Sequence, residues 1–300
     1  MTSLVDPTPR RLGSLGEVGA LGYGQWRYTT DDIGEAQALL EAALDAGSNL
    51  VDTADVYGLD WGGTGFGAAE ELLGRVLTAA PALRDRMVLA TKGGIAPPTP
   101  YDSSPSGLRA ACEASLQRLQ TDVIDLYQIH RADLLTHPAD VAATLSAMRD
   151  EGKVREVGVS NHTPAQVDAL AAHLPFPIVT NQPEYSAQHL DPLRDGTFDA
   201  CMRDGVMPLV WSPLAGGRLA TGDGVRPELM EVLDELAARE DVDRATVALA
   251  FALAHPARPV VIIGTQRAER IAASWRAVDV VLDRADVYRI VQASEGKALP

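Results

Sequence analysis

Apolar runs of strand length recur along the chain, around residues 17 to 23, 49 to 54, 86 to 91, 122 to 129, 154 to 160, 178 to 182, 206 to 212 and 259 to 264. They read as continuous Val, Ile and Leu rather than strict alternation, the mark of parallel strands covered on both faces. Between them the spacing changes to that of helices. Asp32 to Ala46 carries Ile33, Ala36, Leu39, Leu40 and Ala43 on one face, with Thr30 or Asp31 placed to cap it and Gly47 to stop it. Similar patterns run over Ala69 to Leu77, Leu108 to Leu119, Ala139 to Arg149, Ala165 to Leu174 and Arg194 to Arg203. Two helical stretches, Glu228 to Ala238 and Ala245 to Ala254, precede the last strand, and Ile271 to Val278 and Asp286 to Ser294 follow it. The expectation is a single (β/α)8, or TIM, barrel of α/β class, with extra helices before and after the last strand. No linker divides the chain, so residues 1 to 300 read as one domain.

Bulk properties narrow the partners rather than the fold. The 300 residues exceed the about 250 that such a barrel needs. A formal net charge of −15 repels a phosphate backbone and no basic cluster opposes it, so nucleic acid is not expected as a partner. No run reaches the roughly 20 apolar residues of a membrane span, and the first residues lack a signal-peptide core, which points to the cytoplasm and away from membranes. Cys112 and Cys201 are the two cysteines, both in helical patterns, and read as small core residues in a reducing compartment. No Cys/His spacing suits zinc, so no metal is expected. A monomer or weak homo-oligomer is expected.

The candidate chemistry lies where the apolar runs give out. Asp52 ends one run, Lys92 the next and His130 the third, with Tyr57 five residues beyond Asp52. The C-terminal strand ends of a barrel are where variable loops meet a rigid scaffold. Lysine is scarce here: Lys92, Lys153 and Lys297 are the only ones among 26 basic residues. An ammonium at a buried strand end must be paired or bear several kcal/mol of desolvation, and Asp52 is the evident partner. A cation within about 4 to 6 Å of Tyr57 favours the phenolate, which predicts a lowered phenol pKa and a usable general acid. His130 can orient a substrate oxygen by a hydrogen bond. The four together can protonate an oxygen gaining negative charge.

These segments carry a resemblance. Val51-Asp-Thr-Ala-Asp-Val-Tyr-Gly58, Thr91-Lys92 and Gln128-Ile-His130 are similar, in order and spacing, to the catalytic tetrad motifs of the aldo-keto reductases. Gly152-Lys-Val-Arg-Glu-Val-Gly-Val-Ser-Asn161, Thr180-Asn-Gln182 and Trp211-Ser-Pro-Leu-Ala-Gly-Gly-Arg218 resemble that family's cofactor-binding segments, and the likeness spans about residues 17 to 277. Within the family the chain looks most like a bacterial branch of oxidoreductases of unassigned substrate.

The resemblance implies NADPH, with NADH the lesser alternative, and reduction of a small aldehyde or ketone with Tyr57 as proton donor. It implies that Ser160, Asn161 and Gln182 hold the carboxamide and that Trp211 stacks on the nicotinamide. Ser212, Leu214, Gly216 and Arg218 would line the pyrophosphate, and Gly24, Gln25 and Trp26 would border the nicotinamide. Gly264, Thr265, Arg267 and Arg270 would lie at the adenosine 2′-phosphate; relatives carry Lys or Ser at Gly264 and Asn at Ser274, so Arg267 would supply charge beside the matching Arg270. Trp26, Trp61 and Tyr101 would wall an apolar substrate pocket, Trp61 from the glycine-rich loop Gly58 to Gly67. Two other readings stand beside this one: an NADPH-binding regulatory subunit with little turnover, and a sugar dehydrogenase running the site in reverse.

Overall fold

The computed structural model describes residues 2–300. A short antiparallel hairpin comes first, β1 (Arg10–Arg11) against β2 (Glu17–Val18), with Arg10 opposite Val18. Eight parallel strands then close into a barrel: β3 (Leu21–Gly24), β4 (Leu50–Asp52), β5 (Val88–Gly93), β6 (Ile124–Ile129), β7 (Val154–Ser160), β8 (Thr180–Gln182), β9 (Met207–Val210) and β10 (Val260–Ile263), the last pairing with the first. Helices α1 (Ile33–Ala46), α2 (Ala68–Ala79), α3 (Pro105–Leu119), α4 (Pro138–Asp150), α5 (Pro164–Ala171) and α6 (Thr197–Asp204) alternate with strands. The short α7 (Arg218–Thr221), then α8 (Pro227–Glu240) and α9 (Arg244–Leu253), precede β10, and α10 (Ala268–Ser274) and α11 (Arg284–Glu295) follow it. The expected barrel and its additional helices are therefore present.

Three expectations change. Residues 17 to 23 are not one strand: Glu17–Val18 belong to the hairpin, and the chain turns at Gly19 before entering the barrel. A Cβ at Gly19 would stand 2.3 Å from the carbonyl oxygen of Gly47, so only glycine allows that approach. The sixth helix does not run from Arg194; a single 3-10 turn over Asp191–Leu193 ends, Gly196 takes a left-handed φ of 84°, and the helix starts at Thr197. At the first helix the cap is Asp32, whose carboxylate accepts from the N–H groups of Gly34 (2.7 Å) and Glu35 (3.2 Å), rather than Thr30 or Asp31.

Strand alternation sorts the barrel into two cores. Leu50, Val88, Ala90, Leu126, Leu209 and Val260 fill the interior, closed from below by Leu12 and Val18 of the hairpin region. Val51, Leu89, Tyr127 and Ile129 point outward beneath the helices. Both faces of each strand are covered, which is why the runs lack alternation in the sequence. Continuing the period of two upward puts Asp52, Lys92, Gln128 and His130 on the inner face, above the apolar floor. Cys112 and Cys201 are free and buried, and burial pushes both thiols up to about 12. Among the described residues no helix is long and apolar enough to cross a membrane.

Candidate active site

The strand ends bring the four polar residues together. Lys92 is fully buried, and its Nζ donates to Asp52 Oδ2 (2.6 Å), to the carbonyl oxygen of Thr53 (2.9 Å) and to Tyr57 Oη (3.1 Å). Its three donors are thus spent on the acid, the backbone of the following loop and the phenol. The Tyr57 loop is held from both sides: Asp55 N–H donates to the carbonyl of Lys92 (3.0 Å), and the Tyr57 carbonyl accepts from Ala69 N–H at the start of α2 (3.2 Å). The His130 ring meets the Tyr57 ring edge-on, with centroids 5.9 Å apart.

Burial sets the protonation states. It would strip the proton from Lys92, but Asp52 and then Tyr57 outweigh it and hold the ammonium above its ordinary value. For Tyr57, burial is again the largest influence and exceeds the opposing effect of Lys92, so the phenol lies above its ordinary value. This corrects the expected lowered pKa: the lysine only moderates a rise, and the resting group is a neutral phenol with its proton in place. Burial, then Lys92 and Arg131, push His130 well below its ordinary value, leaving a neutral imidazole. Its Nδ1 is buried without a partner.

A second cluster joins this one through Gln182. Trp211 Nε1 donates to Asn161 Oδ1 (2.9 Å), Asn161 Nδ2 to Ser160 Oγ (2.8 Å), and Ser160 Oγ to the Gln182 carbonyl (2.9 Å). Gln182 Nε2 in turn donates to Asp52 Oδ1 (2.9 Å). A primary carboxamide needs one acceptor and one donor. Gln182 Oε1 makes no hydrogen bond among the described residues, and Asn161 Nδ2 keeps a second hydrogen, so the pair fits such a group. Gln25, at the rim beside Gly24, is fully buried with both ends of its amide unpaired. Such orphaned polar atoms call for a partner the protein itself does not provide.

Past β9 the chain curls into an open cradle. Ser212 has a left-handed φ of 55° and its Oγ accepts from Gly216 N–H (3.0 Å); Gly217 N–H donates to the carbonyl of Leu214 (2.9 Å). Nothing stands within 4 Å of a Cβ placed on Gly216 or Gly217, and Arg218 is tied by its Nε to the Ala215 carbonyl (2.9 Å). Beyond β10, Gly264 and Thr265 lead into α10; Arg267 is ion-paired with Glu269 (2.7 Å), while Arg270 is exposed and makes no ion pair among the described residues. The glycine-rich loop folds back on itself, with Gly65 N–H donating to the Gly58 carbonyl (3.0 Å). It carries Trp61 to 5.1 Å from Trp26, edge-on, while Trp26 Nε1 reaches Asp60 (3.2 Å). Tyr101 is half-buried on the loop after β5 and is not brought into this aromatic pair.

Two arginines absent from the sequence reading enter here. The Arg27 guanidinium lies 4.3 Å from the Trp61 ring centre, and its Nη2 donates to the Gly216 carbonyl (3.2 Å), tying the glycine-rich loop to the cradle. Arg131 lies 6.0 Å from the Trp211 ring centre, and its charge is felt by both Tyr57 and His130. Its place directly after His130 was the available signal.

Comparison with known proteins gives a consistent picture. The Aldo/keto reductase family model matches residues 20–295. The chain is 48% identical over 300 residues to a 6-dehydroglucose reductase of Novosphingobium aromaticivorans, covering 99% of this chain and 98% of the relative. It is 36% identical over 293 residues to a 6-dehydroglucose reductase of Agrobacterium fabrum, covering 94% and 96%. It is 37% identical over 289 residues to the oxidoreductase YdhF of Escherichia coli, covering 92% and 94%.

Proposed function

The chain belongs to the aldo/keto reductase family, NAD(P)H-dependent oxidoreductases acting on carbonyls, and from that premise we propose that it reduces the aldehyde of a small hydroxylated molecule, a sugar aldehyde, with NADPH. The observation that carries the reading is Lys92 Nζ held between Asp52 (2.6 Å) and Tyr57 Oη (3.1 Å), with the His130 ring edge-on to Tyr57. Ser160, Asn161, Gln182 and Trp211 would hold the nicotinamide, Ser212 to Arg218 the pyrophosphate, and Arg270 the 2′-phosphate. When bound, the reduced nicotinamide supplies the hydride. Tyr57 enters as a neutral phenol and gives its proton to the carbonyl oxygen as charge develops there. The ammonium of Lys92, already in hydrogen-bond contact, stabilises the phenolate that remains, and Asp52 keeps that ammonium in place. His130, neutral, orients the carbonyl by an N–H donor rather than by charge.

Two relatives named 6-dehydroglucose reductase support the hydroxylated aldehyde. So does Arg131, a cation next to His130 whose charge acts on the proton donor and which suits hydroxyl groups better than an alkyl chain. Replacing Tyr57 by Phe keeps the ring and removes the proton, so kcat on 6-dehydroglucose should fall by about 10²- to 10⁴-fold with NADPH affinity unchanged. Undiminished turnover would remove Tyr57 from the mechanism. NADPH and NADH titrations separate the cofactors: Trp26, Trp61 and Trp211, three of the four tryptophans, stand at the rim, so binding should quench most of the intrinsic fluorescence.

A further inference from the structure

Level with Lys92 lies a belt of residues whose other members none of the roles above uses. Lys92, Gln128, Gly158 and Thr180 stand in direct register on four neighbouring strands: Lys92 opposite Gln128, Gln128 opposite Gly158, Gly158 opposite Thr180. Gln128 and Thr180 are fully buried. Gly158 leaves a gap in the belt, and Thr180 reaches across it; a Cβ on Gly158 would lie 1.9 Å from Thr180 Oγ1 and 3.1 Å from the Gln128 side chain. Through that gap the Thr180 hydroxyl donates to Gln128 Oε1 (3.2 Å), and Gln128 Nε2 donates to Asp52 Oδ1 (3.3 Å).

We infer that Gln128 is a positioning residue, oriented by Thr180, that aims the Asp52 carboxylate at Lys92 and so sets the lysine against Tyr57. The inference rests on the tetrad roles proposed above. An amide can turn either end toward Asp52, and only its NH2 end is favourable against a carboxylate. The acceptor-only carboxylate selects that end, and the Thr180 hydroxyl, donating to the amide oxygen, holds the amide so turned. Asp52 then has Oδ2 on Lys92 and Oδ1 on two amides, Gln128 and Gln182, so neither oxygen is free to swing. An apolar residue would continue the interior floor above Leu126 equally well; the amide is required only by what stands beside it. With Gln128 lost, Asp52 keeps one amide and can rotate away from Lys92, whose ammonium then loses support against burial.

The test uses Gln128→Leu, close in volume but without hydrogen bonds, and the pair Thr180→Val and Thr180→Ser. Steady-state kinetics on 6-dehydroglucose should show Gln128→Leu lowering kcat about tenfold or more, the loss of one hydrogen bond to a charged group, while KM and the NADPH dissociation constant stay within about threefold. The alkaline limb of its pH profile should move to lower pH, because a less supported Lys92 releases its proton earlier. Thr180→Val should move kcat and the limb in the same direction, and Thr180→Ser, which keeps the hydroxyl, should restore both. A Gln128→Leu enzyme that melts earlier yet keeps the parental kcat per folded molecule and the parental pH limb overturns the inference and leaves Gln128 a structural residue. Should Gln128→Leu not fold, the Thr180 pair decides alone: Val equal to Ser in kcat and limb overturns it. Full activity in Tyr57→Phe would instead defeat the tetrad reading, so the two failures are distinguishable.

Discussion

At the scale of single residues, position matters less than what each side chain is pressed against. His130 would titrate near neutrality in water, yet burial, Lys92 and Arg131 keep it neutral in the fold. The kcat profile for reduction should therefore run flat from about pH 6 to 8, with no limb from an imidazole; a limb near pH 6.5 that disappears in His130→Gln would show the ring to be charged in use. Arg131 carries the substrate preference in the proposed reading. Arg131→Met should lower kcat/KM for 6-dehydroglucose about tenfold or more while leaving a simple alkanal within about twofold; equal losses on both would mean the arginine shapes the pocket without reading hydroxyls. Asp52, Lys92 and His130 were legible in the chain because each ends an apolar run, and Tyr57 because it follows Asp52 by five residues on the loop beyond it. Gln128 was legible in part, since it shares a strand face with His130, but its partners Thr180 and Gly158 lie on other strands and no spacing links them.

At the scale of elements, helices were easier to find than the places where the chain bends. Proline stands at the first helical position of α3, α4, α5 and α8, where its fixed φ fits and its missing N–H costs nothing. The hairpin escaped notice because two residues per strand leave no periodicity, and its second strand abuts β3 in sequence. Its work is to close the barrel floor, with Leu12 fully buried against the interior. Leu12→Ala should thus lower stability by about 2 to 4 kcal/mol in a urea titration, with activity per folded molecule intact because the site is at the opposite rim. A change under about 0.5 kcal/mol would mean the hairpin is an ornament. The α2–α3 contact has less room: a Cβ on Gly74 would stand 2.1 Å from the Arg118 carbonyl oxygen. Gly74→Ala should separate the helices, lowering the melting temperature at a cost of about 1 to 3 kcal/mol, and a neutral effect would show that the helices can part freely.

At the scale of the whole molecule, several histidines are folded in neutral form. His255 is pushed down to about 4 by burial, and His162 is lowered by burial although its ring bonds the Ser160 carbonyl (2.9 Å). A folded pKa below the unfolded value means a contribution present above about pH 6.5 and lost as pH falls toward the folded value, because only the unfolded chain takes up the proton. The urea midpoint should therefore drop more between pH 7 and 5 in the parent than in His255→Gln, and the comparison cancels groups titrating in the other sense, such as Asp55, whose carboxyl burial and Glu70 hold well above its ordinary range. Identical drops would refute the assignment. The sequence by itself determined the barrel, because parallel strands buried on both faces must be continuous apolar runs, and it determined the rim residues, because a polar group ending such a run has only the strand end to occupy. Tertiary structure alone decided their surroundings: burial, a property of everything packed around a group, raised the Tyr57 phenol against the pull of Lys92, and barrel closure brought Gln128 and Gln182 from separate strands onto one carboxylate, with Thr180 behind Gln128.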